Sequence, residues 1–70
     1  RMVNALASRG AKILDAGSGP GRVGKQLHAL GHRVTGVDID PELIEEARRV
    51  CPDATWITAD LVDLPEVLGI

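Results

Sequence analysis

Three glycines at alternate positions constrain this chain more than any other feature. They lie in Asp15-Ala16-Gly17-Ser18-Gly19-Pro20-Gly21, directly after the apolar run Lys12-Ile13-Leu14-Asp15-Ala16. A stretch with helical spacing follows them. Glycine has no Cβ, so it accepts backbone angles closed to other residues and lets another group approach the main chain. An ordinary tight turn needs fewer of them. Their placement between a strand and a helix, where backbone amides and a helix N-terminus meet, points to a ligand-binding loop.

The remaining sequence supplies the elements around this loop. Met2, Val3, Leu6 and Ala7 fall on one face of a helix over Arg1 to Arg9, with Gly10 as its stop. A second helix is predicted from Arg22 to Leu30, with Val23, Leu27 and Leu30 on its buried side and Gly31 at its end. Arg33-Val34-Thr35-Gly36-Val37 reads as a strand that closes on Asp38. Asp40 then caps a third helix with Pro41 at its first position. Leu43, Ala47 and Val50 form that helix's expected inner stripe, and Glu45 is spaced to pair with Arg49. Pro52 ends it. Thr55-Trp56-Ile57-Thr58 is a third strand, followed by a polar turn around Asp60 and Asp63. Strands alternating with helices predict an α/β fold with a parallel sheet and crossover helices.

Composition narrows the function. A net charge of −2 supplies no basic footprint, so nucleic acid is not indicated. Trp56 is the single aromatic residue, too few for a base-stacking platform. No apolar run approaches the roughly 20 residues that span a bilayer, and no membrane association is expected. Cys51 has no internal partner for a disulfide, which fits a reducing, cytoplasmic setting. His28 and His32 have no companion at metal-ligand spacing, so they read as solvated surface residues, and no metal site is predicted. Lys12, Arg22 and Arg33 read as solvated too.

Two ligand classes fit the glycine loop. Gly19-Pro20-Gly21-Arg22-Val23-Gly24 matches the dinucleotide pattern G-x-G-x-x-G, and Asp38 follows at a distance suited to a ribose-binding acid. Against a dinucleotide, Gly17 sets the loop two positions earlier than that pattern normally begins. Asp15 also places a carboxylate near where a pyrophosphate would lie, and like charges repel. A cationic ligand suits that position better.

The run KILDAGSGPGRVGKQL resembles the first motif of the class I, Rossmann-like S-adenosylmethionine-dependent methyltransferases. HRVTGVDIDPELIEEAR resembles the second motif and WITADLVDLP the third, in order and with normal spacing. Together they cover most of the chain, from Lys12 to Pro65. The resemblance implies a doubly wound parallel sheet, of which this β-α-β-α-β segment with its preceding helix is the N-terminal part, in the local strand order 3-2-1. It implies S-adenosyl-L-methionine as cofactor. Gly17, Gly19 and Gly21 would shape the loop against its methionyl and ribosyl parts, and Asp15 would hydrogen-bond, directly or through water, toward its ammonium group. Asp38 would accept from both ribose hydroxyls and Ile39 would pack on the adenine. Asp60 would accept from the adenine amino group, with Asp63 as the alternative, and the Leu61 amide would meet a ring nitrogen.

The family's acceptor site and any catalytic base lie on later strands and loops, so the methyl acceptor is of unknown class and no catalytic residue is assigned. Two alternatives accompany this reading: an NAD(P)-binding oxidoreductase fragment, and a non-catalytic methyltransferase-like module. Both ends of the chain read as cut from a longer protein. An unpartnered edge on the first strand would then offer a route to self-association.

Overall fold

The structure, a computed structural model, describes residues 10–69. The helix expected over Arg1 to Arg9 lies outside them. Strand β1 spans Lys12–Ala16, helix α1 Arg22–Ala29, strand β2 Arg33–Asp38, helix α2 Pro41–Val50 and strand β3 Thr55–Thr58. A single 3-10 turn, Leu61–Asp63, then leads into a short helix α3, Leu64–Val67. The polar turn expected after β3 is therefore helical, because Asp60 accepts from the Val62 amide (3.0 Å) and caps it.

The sheet is parallel, in the order β1-β2-β3. This is the expected 3-2-1 arrangement, with β2 between its neighbours. Asp15 pairs with Gly36, and Gly36 with Trp56, so these three positions form one row across the sheet. In parallel neighbours such a row shares a face. Both helices return to that face, since Gly24 of α1 lies against Trp56 and Val34, and Ala47 of α2 lies in the Trp56 core. Crossovers of one hand put consecutive helices on the same side.

Trp56 organises this layer. Its ring crosses the bare backbone of Gly36, and a Cβ at Gly36 would overlap the ring atoms. A Cβ at Gly24 would lie 2.5 Å from the ring edge, and one at Gly21 only 2.8 Å from the Ala47 Cβ. Burying an indole also requires a partner for its N–H. Trp56 Nε1 donates to the Cys51 carbonyl at 2.7 Å, at the end of α2. The Arg48 guanidinium in turn donates to the Trp56 carbonyl at 3.0 Å. Helix α2 and strand β3 are thus joined from both sides.

This packing corrects two predicted stripes. Helix α2 buries Ile44 and Ala47, with Cys51 just beyond, while Leu43 and Val50 are only half-buried. In α1 the buried residue is Gly24, and Leu30, expected inside, is 60% exposed. Large residues set the inner face on a naked sheet. Here the indole already fills the space, so glycine and alanine sit where α1 and α2 come closest. The surface pair on α2 also differs: Arg49 bonds Glu46 rather than Glu45, and this hydrogen bond raises the guanidinium pKa above its ordinary value.

Substituting Gly36→Ala in the intact protein should lower unfolding stability by about 1–3 kcal/mol, the usual cost of forcing extra atoms into a packed core. Urea unfolding followed by far-ultraviolet circular dichroism measures it. In a Trp56→Leu background the same change should cost much less, because the two sites touch. Equal costs in both backgrounds would mean that the ring is not what Gly36 accommodates.

Candidate functional site

The site is built where β1, β2 and β3 end. The β1–α1 loop turns through Gly17, Gly19 and Gly21, with φ of 75, 57 and 86°. These left-handed angles strain any residue with a Cβ. At Gly17 and Gly19 no atom lies within 4 Å of a Cβ position, so the space beside them is open. Gly21 differs, since Ala47 closes its side. It is the N-cap of α1, and no side chain caps that helix.

The loop's amides face inward. The Gly17 and Ser18 N–H groups both donate to the Val37 carbonyl, at 2.8 and 3.0 Å. The Gly19 N–H donates to Asp38 Oδ2 at 3.0 Å. Three successive donors, expected from the sequence to be available to a ligand, instead fasten the loop to β2. These three amides are therefore not available to cradle a phosphate.

Asp38 is the junction. Besides Gly19, its carboxylate accepts from the Asp40 N–H at 2.9 Å through Oδ1, and its backbone carbonyl accepts from the Ala59 N–H at 3.0 Å. One residue therefore holds the glycine loop, the start of α2 and the exit of β3. Each carboxylate oxygen has two lone pairs, so one acceptor position remains on each. Asp38 is half-buried. Asp40, as predicted, caps α2 by accepting from the Glu42 N–H at 2.9 Å.

The other candidates gather around this junction, with one exception. Ile39 is 66% exposed and Leu61 51%, so both are surface residues and Ile39 is not part of the core. Asp60 is exposed at the start of the 3-10 turn, with Oδ1 engaged by Val62. Asp63 lies at the far end of that turn and is exposed. The exception is Asp15. It is fully buried in the row beneath the loop, with no surface of its own. Ser18 is buried too, and its Cβ lies against the bare backbone of Gly36. Reading the sequence missed Ser18 and Gly36 as parts of the loop's support. A glycine inside a strand is the signal that a close approach is required there. No group of residues suited to a metal ion occurs among the described residues.

The histidines depart from expectation. His28 and His32 are half-buried, and the Nδ1 atom of each is buried without a hydrogen-bond partner. They lie at the opposite end of the sheet from the glycine loop.

Substituting Asp38→Ala should release the Gly19 amide. Its hydrogen exchange in the intact protein should accelerate at least about tenfold, since a bond to a charged acceptor contributes about 1.5–3 kcal/mol. Asp40→Ala should lower global stability by about 1 kcal/mol through loss of the cap and leave Gly19 protected. Unchanged exchange at Gly19 after Asp38→Ala would remove this carboxylate as the loop's anchor.

Comparison with known proteins agrees with this geometry. The methyltransferase domain family matches residues 13–69. The chain is similar to malonyl-(acyl-carrier protein) O-methyltransferase of Enterobacter lignolyticus, 34% identical over 64 residues, which is 91% of this chain and 26% of that protein. It is also similar to trans-aconitate 2-methyltransferase of Escherichia coli, 41% identical over 51 residues, or 70% of this chain and 20% of the relative. Among solved structures, a TehB-like SAM-dependent methyltransferase from Corynebacterium glutamicum superposes with a TM-score of 0.79 at 54% identity, over 81% of this chain and 31% of that one. The chain thus spans about a quarter of the length of the curated relatives it matches. With a parallel sheet in the expected order, a glycine loop fastened to an acid at the end of β2 and a family match over nearly all the described residues, the chain belongs to the class I S-adenosylmethionine-dependent methyltransferases.

Proposed function

We propose that this segment is the N-terminal, donor-binding part of a single methyltransferase domain that transfers a methyl group from S-adenosyl-L-methionine. The observation that carries this reading is the direction of the loop amides. Gly17, Ser18 and Gly19 direct their N–H groups into β2, while Asp38 keeps two acceptor positions. That arrangement suits a ligand offering hydroxyl and ammonium donors, and it disfavours a pyrophosphate. Gly24 is bare to admit Trp56, a packing role that the third glycine of the dinucleotide pattern also has, so it does not separate the two ligand classes.

In this reading Asp38 accepts from the two ribose hydroxyls and Ile39 supplies an exposed apolar surface for the adenine. Asp60 retains acceptor capacity for the adenine amino group beside the Leu61 amide. The open sides of Gly17 and Gly19 leave room for the ribose and methionyl portion. Asp15, having no exposed surface, acts from beneath the loop or through an ordered water. The bound donor supplies a methyl carbon on a positively charged sulfur, already activated toward a nucleophile. The protein's part is to bind, orient and shield, and positioning contributes much of such a rate enhancement. The methyl acceptor is the second partner, and no helix among the described residues is long and apolar enough to cross a membrane.

Calorimetric titration of the intact protein tests the proposal. S-adenosylmethionine and its demethylated product should bind, and NAD and NADP should not. Asp38→Ala should weaken binding of the demethylated product by about 2–4 kcal/mol, since two hydrogen bonds to a charged acceptor are lost. Tight NAD binding without a response to the methyl donor would overturn the reading.

A further inference from the structure

Within the glycine loop, Ser18 to Gly21 form a closed turn, since the Gly21 N–H donates to the Ser18 carbonyl at 3.3 Å. Ser18 is its inner corner, with a buried side chain and an N–H bonded to the Val37 carbonyl. Gly21 is the corner from which α1 starts. Between them lies Gly19, with open space at its side.

Both corners rest on one ring. A Cβ on Gly21 would lie 3.2 Å from Cη2 of Trp56. A Cβ on Gly36 would overlap Cε3 and Cζ3 of that six-membered ring and lie 2.9 Å from the Ser18 Cβ. The ring and Ser18 thus converge over the bare Gly36, and the ring and Gly21 meet beside it. The other edge of the indole is tethered, Nε1 donating to the Cys51 carbonyl at 2.7 Å. A flat group held at one edge resists sliding, so its free edge sets how far the turn stands from the sheet. Trp56 is only 5% exposed and sits on the sheet side of the loop.

We propose that Trp56 is a positioning residue for the methyl donor, acting through the Ser18–Gly21 turn. The inference rests on the donor reading above. A smaller side chain at position 56 leaves a void, and close packing carries the displacement of the turn to the space beside Gly19. That void can be refilled from two sides. Gly36→Ala adds a methyl on the loop side, against Ser18. Gly24→Ala adds one on the helix side, where its Cβ would lie 3.4 Å from Val34 Cγ1. Alanine also favours a helix over glycine, so Gly24→Ala strengthens α1 once the ring no longer obstructs it.

The test is calorimetric titration of the intact protein with S-adenosylhomocysteine, beside urea unfolding of each variant. Trp56→Leu should raise Kd at least about tenfold, a factor of ten being about 1.4 kcal/mol. Adding Gly36→Ala should recover most of the lost affinity. Adding Gly24→Ala should raise the unfolding midpoint and leave the affinity low. Trp56→Phe, whose ring does not reach as far, provides a milder second series in which the same order of recovery is expected should Trp56→Leu fail to fold. An unchanged Kd in the Trp56 variants, or a Kd that follows the unfolding midpoint through both refills, would overturn the inference and leave the ring a purely structural part. Wild-type protein that does not bind S-adenosylhomocysteine would instead remove the donor reading itself.

Discussion

The indole of Trp56 lying across Gly36 sets the geometry on which the other contacts depend. A large flat ring fits between a sheet and two helices only where the neighbouring positions carry no side chain. Gly36 supplies that in β2 and Gly24 in α1, while Ala47 of α2 meets the bare Gly21 at the start of α1. The ring thereby fixes how near α1 and α2 approach the sheet. Because Gly21 is also the last glycine of the loop, the same packing determines where the loop joins its helix. Interiors are packed at crystal-like density, so a misplaced methyl here propagates to the neighbours.

Fastening the loop to β2 completes what the packing begins. The Val37 carbonyl accepts two loop amides and the Asp38 carboxylate a third, so the loop is held by one main-chain and one side-chain acceptor of the central strand. Asp38 also engages Asp40 and Ala59. Its side chain is therefore oriented by the fold itself, with one acceptor position left on each carboxylate oxygen. Preorganisation of this kind reduces the ordering cost of binding. Where the loop N–H groups point is a property invisible in the spacing of the glycines.

The two ends of the sheet have different electrostatics. At the loop end lie the acids Asp38 and Asp60, with Asp15 buried beneath the loop. At the other end, Lys12 and Arg33 lie side by side near His28 and His32. Parallel strands bring all their starts to one edge and all their ends to the other, so residue choice at strand termini alone separates the charges. The donor reading concerns only the first edge.

Much of this was legible in the chain itself. The bounds of β1 and β3, the Asp40 cap with Pro41 behind it and the strand order follow from local signals and from the family resemblance. Caps, turns and strand alternation are short-range, and a window of a few residues carries them. What tertiary structure alone decided is which face of each helix lies inside and which polar groups remain for a ligand. Gly24 lies inside because Trp56, some thirty residues away, occupies the space that a side chain there would fill, and Leu30 at the end of the helix stands outside. Asp15 lies beneath the loop because its row continues through Gly36 to Trp56. The inward turn of the loop amides depends on Val37 and Asp38, and the exposed partner pair Lys12 and Arg33 arises only when β1 meets β2 in this register. Each is a contact between residues distant in sequence, and periodicity along one segment holds no information about what another segment will bring against it.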